Sequence, residues 1–289
     1  MILREFHSIR KLTQLFNLPK STFYNGIQRT STRVDKDASL RMQIKTLFNG
    51  SRSSAGQRTL IALLKKQNIH VSRHRVRKIM YEEHLHCKQR RRRPYRRAEK
   101  PSVYAPNRLN RQFSPAAINR VWCGDVTYIW TQEGWCYLAA VMDLACRKIV
   151  GFAVSDKPDT HLTKKALLMA FESRGQPQNV LFHSDQGCHY SSDAFRILLQ
   201  HYGMTHSMSR KGNCWDNASM ERFFGALKSE WVPKLGYASF AEADRDLHHY
   251  IHGYYNSYRP HTHNQGLAPN DAENALVSIQ THGLIMANV

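Results

Sequence analysis

Residues 183–228 read HSDQGCHYSSDAFRILLQHYGMTHSMSRKGNCWDNASMERFFGALK, and two carboxylates in them set the terms for the rest of the chain. Asp185 follows the apolar run VLFH and precedes Gln186-Gly187. That places it at the C-terminal end of a strand, where open α/β sheets gather their ligands. A plain turn aspartate before glycine is the alternative. Glu221 comes after 35 intervening residues, in the first turn of a helix that Ser219 or Asn217 can cap. An acid there is also favoured by the helix dipole alone. On a helical wheel Met220, Phe223, Phe224, Leu227 and Trp231 share one side, while Glu221, Gly225 and Lys228 form an adjoining stripe roughly 60° wide. Gly225 costs about 1 kcal/mol relative to alanine inside a helix, which suits a surface that something approaches closely. A third acid, Asp125, stands upstream in WCGDVTY. In mid-strand an unpaired carboxylate costs several kcal/mol, so it needs a cation or strong hydrogen bonds.

Around these acids the pattern alternates between the two periodicities. Residues 120–131, 134–143 and 148–155 are β-branched and aromatic runs split by short turns, a three-strand meander. A helix over 160–173, a strand over 179–183, a helix over 192–201 and a strand over 203–207 follow. A polar loop at 209–217 leads to helices over 219–231 and 240–256. This order, with the acids where they fall, indicates an α/β fold. It is a ribonuclease H-like core, a mixed sheet flanked by helices, preceded by a small all-α helix-turn-helix region. Three hard oxygen donors and no zinc-like His/Cys spacing favour Mg²⁺ or Mn²⁺. Two such ions about 3.5–4 Å apart can activate an attacking hydroxyl and stabilise a leaving oxygen. The competing acids Asp143, Asp156, Asp159, Asp193 and Asp216 sit at strand ends, helix starts or in loops, where structural roles suffice.

The 289-residue chain has a formal net charge of +20. Residues 1–100 hold 25 Lys/Arg against 6 Asp/Glu, and residues 101–289 hold 17 against 16. So lopsided a distribution points to a polyanion-binding part joined to a near-neutral part with another job. Residues 8–28 outline two short helices around a turn, and 29–37 reads as a polar linker. Helices at 40–48 and 57–67 precede one capped by Ser72. There Val76, Ile79 and Met80 face inward, and Arg73, Arg75, Arg77 and Lys78 face outward. That basic face suits a major groove; a merely solvated face is the alternative. KQRRRRPYRRAEK at 88–100, with Arg90, Arg91, Arg92 and Arg93, reads as an arm tracking phosphates. Arg210 and Lys211 in the polar loop are further candidate DNA contacts. Trp215 and Tyr190 could stack on an unpaired base or pack in the core. The expected division is a helix-turn-helix-like segment (1–37), a helical DNA-binding domain (38–87), a basic linker (88–118) and the core with a helical tail (119–289). Six cysteines without a C-x-x-C pair suggest a reduced, cytoplasmic protein. No apolar run is long enough for a bilayer.

W-x-G-D-V-T-Y at 122–128, H-S-D-Q-G at 183–187, S-x-x-G-x-x-x-D-N-A-x-x-E at 209–221 and YYNSYRPHTHNQGLAPND at 254–271 together resemble one family. It is the insertion-sequence transposases with a retroviral-integrase-like core, in the group founded on insertion sequence three. The resemblance implies that Asp125, Asp185 and Glu221 are the catalytic, metal-binding triad and that Lys228 contacts the element's end. It also implies the reaction: water cleaves a strand at the transposon end, and the freed 3′-OH attacks a second phosphodiester. The implied partners are transposon-end and target DNA, further copies of the chain on that DNA, and an upstream-frame protein of the same element. The upstream frame is implied because no heptad repeat precedes Leu40, so the chain is expected to be the downstream, catalytic frame. The implied location is the bacterial cytoplasm, on the nucleoid when DNA is bound. AGQRTL at 55–60 departs from the family's aromatic Y-G-Y-R-R-I stretch, and Cys188-His189 replaces a polar pair. The alternatives are a hydrolytic nuclease of the same fold and a non-catalytic regulator that binds DNA ends.

Overall fold

A computed structural model of the chain describes residues 8–88, 105–210 and 214–287. At its centre lies strand β1 (Val121–Thr131), whose alternate residues enter two different cores. Trp122 and Val126 pack to one side, Cys123 and Ile129 to the other, as a period of two in a doubly covered sheet requires. β2 (Gly134–Asp143) returns antiparallel across a two-residue turn, pairing from Thr131↔Gly134 to Trp122↔Asp143. β3 (Lys148–Ser155) continues the meander, with a bulge at Val141/Met142. β4 (Leu181–Ser184) lies parallel to β1, and β5 (Thr205–Met208) parallel to β4, giving the order β3-β2-β1-β4-β5. This is the expected mixed sheet.

Helices cover both faces. On one side α5 (Thr160–Ser173) and α7 (Asp193–His201), after the short α6 (Cys188–Ser191), bury Leu162, Ala166, Tyr190 and Phe195 against Trp122, Val141 and Phe182. On the other, α8 (Ala218–Ala226) and α9 (Phe240–His248) bury Phe223, Phe224 and Leu247 against Cys123, Leu138 and Ala140. α8 and α9 each pass into a π-helix, Leu227–Trp231 and His249–Asn256. The fit of α5 on β3 depends on Gly151. A Cβ there would stand 2.3 Å from the Ala166 carbonyl oxygen and 2.5 Å from the Ala170 nitrogen. Gly151→Ala must therefore lift the helix backbone, and overpacking of this kind costs about 1–3 kcal/mol or more. Urea melts should show a lower midpoint at unchanged slope; an unaltered midpoint would mean that α5 is not seated there.

The N-terminal helices form a separate small core. α1 (Ile9–Leu15) is capped by Ser8, and α2 (Lys20–Gly50) runs without a break. The segment 29–37, expected as a linker, is thus helical. Its sequence RTSTRVDKD contains neither proline nor glycine to interrupt a helix. Ile44, Leu47 and Phe48 of α2 pack with Leu60 and Leu64 of α3 (Gln57–Lys66) and Val76 and Ile79 of α4 (Arg73–Glu82). Arg52, in the turn after α2, fastens this unit to the sheet domain. Its guanidinium donates to the two Asp246 carboxylate oxygens at 2.6 and 2.9 Å and lies 4.0 Å from the Trp231 ring centroid. Asp246 also accepts from the Tyr237 hydroxyl at 2.7 Å.

The tail, which carries the last of the sequence motifs, closes the structure. Asn256 pairs with Ile149 of the β3 edge through both amide groups, accepting at 3.0 Å and donating at 2.8 Å. Arg259 makes a two-pronged contact with Glu230 at 2.8 and 2.6 Å, beside the π-helix that follows α8. α10 (Pro269–Ala287) is the last described element.

Candidate active site

β4 accompanies β1 only from Val121 to Gly124, and the last matched pair is Gly124↔Ser184. The next residue on each side is an acid: Asp185 follows the end of β4, while Asp125 stays in β1, paired with Ala140 of β2, and neighbouring strands lie about 4.8 Å apart. Gly124 makes this tight register possible: a Cβ there would lie 2.5 Å from the Phe182 ring. Asp125 shares the parity of Cys123 and Ile129, whose side chains belong to the core that α8 helps to form, and Glu221 stands in the first turn of α8. Asp125 is half-buried, whereas Asp185 and Glu221 are exposed. One Asp125 oxygen accepts the Val126 N–H at 2.7 Å, and one Asp185 oxygen accepts the Gly187 N–H at 2.9 Å.

The electrostatics agree with this crowding. Loss of water around its carboxyl pushes the Asp125 pKa well up, and the charges of Asp185 and Glu221 push it further. The Val126 N–H and the Lys228 ammonium pull it back. The Asp185 pKa is raised too: although the residue as a whole is exposed, its carboxyl loses part of its water, against the pull of the Gly187 N–H and His189. Like charges gathered at a strand end, all of them hard oxygen donors, are a donor set suited to a divalent cation. They are neighbours rather than a closed ligand shell: among the described residues no three His, Cys, Asp or Glu converge to hold a metal ion.

The chain is similar over most of its length to curated proteins of bacterial mobile elements. The "Insertion element IS600 uncharacterized 31 kDa protein" of Shigella sonnei is 37% identical over 260 residues, covering 89% of this chain and 96% of the relative. The transposase for insertion sequence element IS904 of Lactococcus lactis is 34% identical, covering 81% and 93%. Transposase InsF for insertion sequence IS3A of Escherichia coli is 31% identical, covering 92% and 94%. This chain belongs to the insertion-sequence transposase family. The Integrase core domain family matches residues 115–214 and, in a second model, 202–269; the HTH-like domain family matches 35–93. Among solved structures, the HTLV-2 integrase catalytic core domain in complex with magnesium aligns with a TM-score of 0.40 at 18% identity, covering 54% of this chain and 97% of that one. By its family matches, its relatives and its mixed sheet, the transposase has a ribonuclease H-like integrase core behind an HTH-like domain and is a polynucleotidyl transferase of the DDE type.

A further carboxylate, just before α8, reads in the sequence only as a loop acid. Asp216, five residues before Glu221, is a fully buried carboxylate. It accepts from the backbone N–H, Nε and Nη2 of Arg210 at 3.0, 3.0 and 3.1 Å, from Arg111 Nε at 2.9 Å and from Asn107 Nδ2 at 2.9 Å. The Arg210 side chain, followed by Arg111, holds its pKa far below the usual carboxylate range despite burial. Asp216 thus ties the segment that follows the basic arm to the loop that delivers α8. Arg210, a candidate DNA contact, commits its guanidinium to this acid. His183 lies beneath the same loop. Its Nδ1 is 2.9 Å from Ser207 Oγ and its Nε2 is 3.1 Å from Ser209 Oγ. Ser207 Oγ already accepts two backbone N–H groups, so its own proton goes to Nδ1. Ser209 donates to the Ser184 carbonyl, so it accepts from Nε2–H. The ring is neutral, and burial pulls its pKa down to about 4. A proton NMR titration should place the His183 midpoint near pH 4; a midpoint near 6.5 would mean that the ring is solvated.

Of the other candidate contacts, Arg73, Arg75, Arg77 and Lys78 are exposed on α4 while Val76, Ile79 and Met80 are buried beneath them. Lys228, one residue into the π-helix, places Nζ 4.3 Å from the centroid of the Tyr128 ring. Arg90, Arg91, Arg92, Arg93 and Lys211 lie outside the described residues. Tyr190 is buried in the α5–α7 core, so it packs rather than presenting a stacking face.

Proposed function

We propose that Asp125, Asp185 and Glu221 together hold divalent metal, Mg²⁺ or Mn²⁺ and two ions in the working state, for cleavage and joining of DNA at the ends of the transposon. The observation that supports this reading is the end of the β1–β4 pairing at Gly124↔Ser184, after which each strand carries a carboxylate, with the Glu221 charge acting on Asp125. When bound, such ions polarise the scissile phosphate and lower the pKa of the attacking oxygen's proton. The protein's own groups orient the DNA. Lys228 supplies a positive charge beside Asp125, where a phosphate oxygen can be held, and the basic face of α4 and the arm at 88–100 carry the duplex. Glu221, exposed on the first turn of α8, already bears on Asp125 through its charge. In the first step a water oxygen bonds to phosphorus and the P–O3′ bond breaks, leaving a 3′-OH. In the second, that 3′ oxygen bonds to another phosphorus and displaces a second 3′ oxygen.

The division proposed is a helix-turn-helix-like segment at 1–37 that continues through α2 into a DNA-binding unit at 38–87, a basic linker at 88–118 whose 105–111 part is tied to the core by Asp216, and the catalytic core at 119–289. The protein works as several copies on end and target DNA, with the upstream-frame protein of its element as partner, in the bacterial cytoplasm and on the nucleoid. Among the described residues no helix is long and apolar enough to cross a membrane. A strand-transfer assay with labelled end duplex and Mn²⁺ tests the activity. Joined products are expected. Cleavage without joining would make the protein a nuclease, and binding alone a regulator. Joining by Asp185→Asn at the wild-type rate would refute the assignment of the acids.

A further inference from the structure

The hairpin that carries Asp125 ends in an aromatic surface that the core does not use. Tyr128, Trp130 and Trp135 are 57%, 45% and 47% exposed, although large rings usually find cover. They are not scattered. Trp135 meets Tyr128 edge-on at 5.1 Å and Trp130 at 5.0 Å between ring centroids. Trp130 and Trp135 are direct cross-strand partners, so the three rings share one sheet face. Trp130 is held in place from behind. Gly236, at φ +83°, lies so close that a Cβ would come within 2.4 Å of the Trp130 carbonyl oxygen and 2.9 Å of its ring. The Lys228 ammonium rests on Tyr128 and also steadies the Asp125 charge.

The position of the cluster relative to the acids gives it a use. Asp125 and Tyr128 are three residues apart on β1, about 10 Å, and on opposite faces of the sheet. Between them β1 has lost β4, and Tyr237 joins its edge only at Trp130 and Gln132. A DNA strand with one phosphate at the acids can therefore pass over this open edge, and Lys228 stands where both faces meet. We propose that Tyr128, Trp130 and Trp135 form a stacking platform for an unpaired base next to the reacting phosphate. This rests on the reading of the acids as the site of DNA chemistry. Aromatic faces accept any base by stacking, and the lysine on the platform matches the charge of the strand. A closed duplex keeps its bases stacked inside, so the platform favours frayed or single-stranded DNA.

The test uses the full-length protein and two probes, a blunt duplex and the same duplex with its last three base pairs mismatched. Wild type should bind the mismatched end more tightly. Trp130→Ala/Trp135→Ala should lose that preference, by about tenfold per ring, with blunt-duplex affinity unchanged; Trp130→Phe/Trp135→Phe should keep it. Photo-crosslinking of wild type to 5-iodouracil in the mismatched segment reports without any variant, and the adducts should map to Tyr128, Trp130 or Trp135. Adducts elsewhere, or equal loss on both probes, would overturn the proposal. So would a change of oligomeric state in the double alanine variant, which would make the patch a contact between copies. Metal-dependent cleavage by wild type, assayed beside the crosslinking, separates the two readings. Adducts at these rings without metal-dependent cleavage by wild type would sink the acid assignment alone, while cleavage with adducts elsewhere would sink the platform alone.

Discussion

Asp125→Asn, Asp185→Asn and Glu221→Gln are each expected to lower DNA cleavage and joining by about a thousandfold or more, since losing a metal ligand removes several kcal/mol of transition-state stabilisation. End-DNA binding should survive, because most of the positive charge lies in the first hundred residues. The same substitution at Asp125 carries an opposite expectation for stability. Burial and the neighbouring acids raise its folded pKa well above the ordinary aspartate value near 3.8. The folded state then holds more protons than the unfolded one between these two values, so stability falls as pH rises through that window and the penalty is complete above it. Asn carries no charge, so in EDTA at pH 7 Asp125→Asn should be more stable than wild type, by about 0.5–2 kcal/mol. Thermal melts decide this. A less stable Asp125→Asn would mean that the carboxylate is a structural partner.

The second large effect concerns Asp216. Removing the partner of a charged, hydrogen-bonded cluster costs about 3 kcal/mol, with the exposure of its arginines keeping the loss at the lower end. The Asp216 carboxylate is wholly buried while Arg111 and Arg210 reach solvent. Asp216→Ala should therefore free both the loop before α8 and the 105–111 segment, raising amide exchange in both at once. Joining should fall with it, since Glu221 loses its footing. Asp216→Asn should fall between alanine and wild type. The linkage has a definite sign: the folded pKa is lowered, so this stabilisation is present above the unfolded value near 3.8 and vanishes as pH falls through the folded one. Exchange confined to the loop, with 105–111 unchanged, would show that Asp216 does not join the two.

The strands that carry Asp125 and Asp185 were legible because they announce themselves by β-branched and aromatic alternation, and the two acids stand out because a carboxylate in mid-strand or at a strand end is costly without a reason. Glu221 was legible from its helical stripe. Asp216 was not: its partners are one close residue and two more than a hundred positions upstream, and no local period records a loop folding back on a distant segment. The linker expected at 29–37 failed for a related reason. Polar composition mimics a linker, but without a breaker the flanking helices simply extend through it. Tyr128, Trp130 and Trp135 looked like ordinary strand aromatics, since alternation says which face a ring takes but not whether a helix reaches far enough to cover it. The tail motif reads in sequence as a functional signature, yet Asn256 and Arg259 spend their polar groups on the β3 edge and on Glu230.

Anomalous diffraction from crystals of the protein with its end duplex and Mn²⁺ tests the central claim most directly. One or two manganese peaks in contact with Asp125 and shared with Asp185 or Glu221 are expected. A manganese peak bound by other residues, in a complex that still joins DNA, would contradict it.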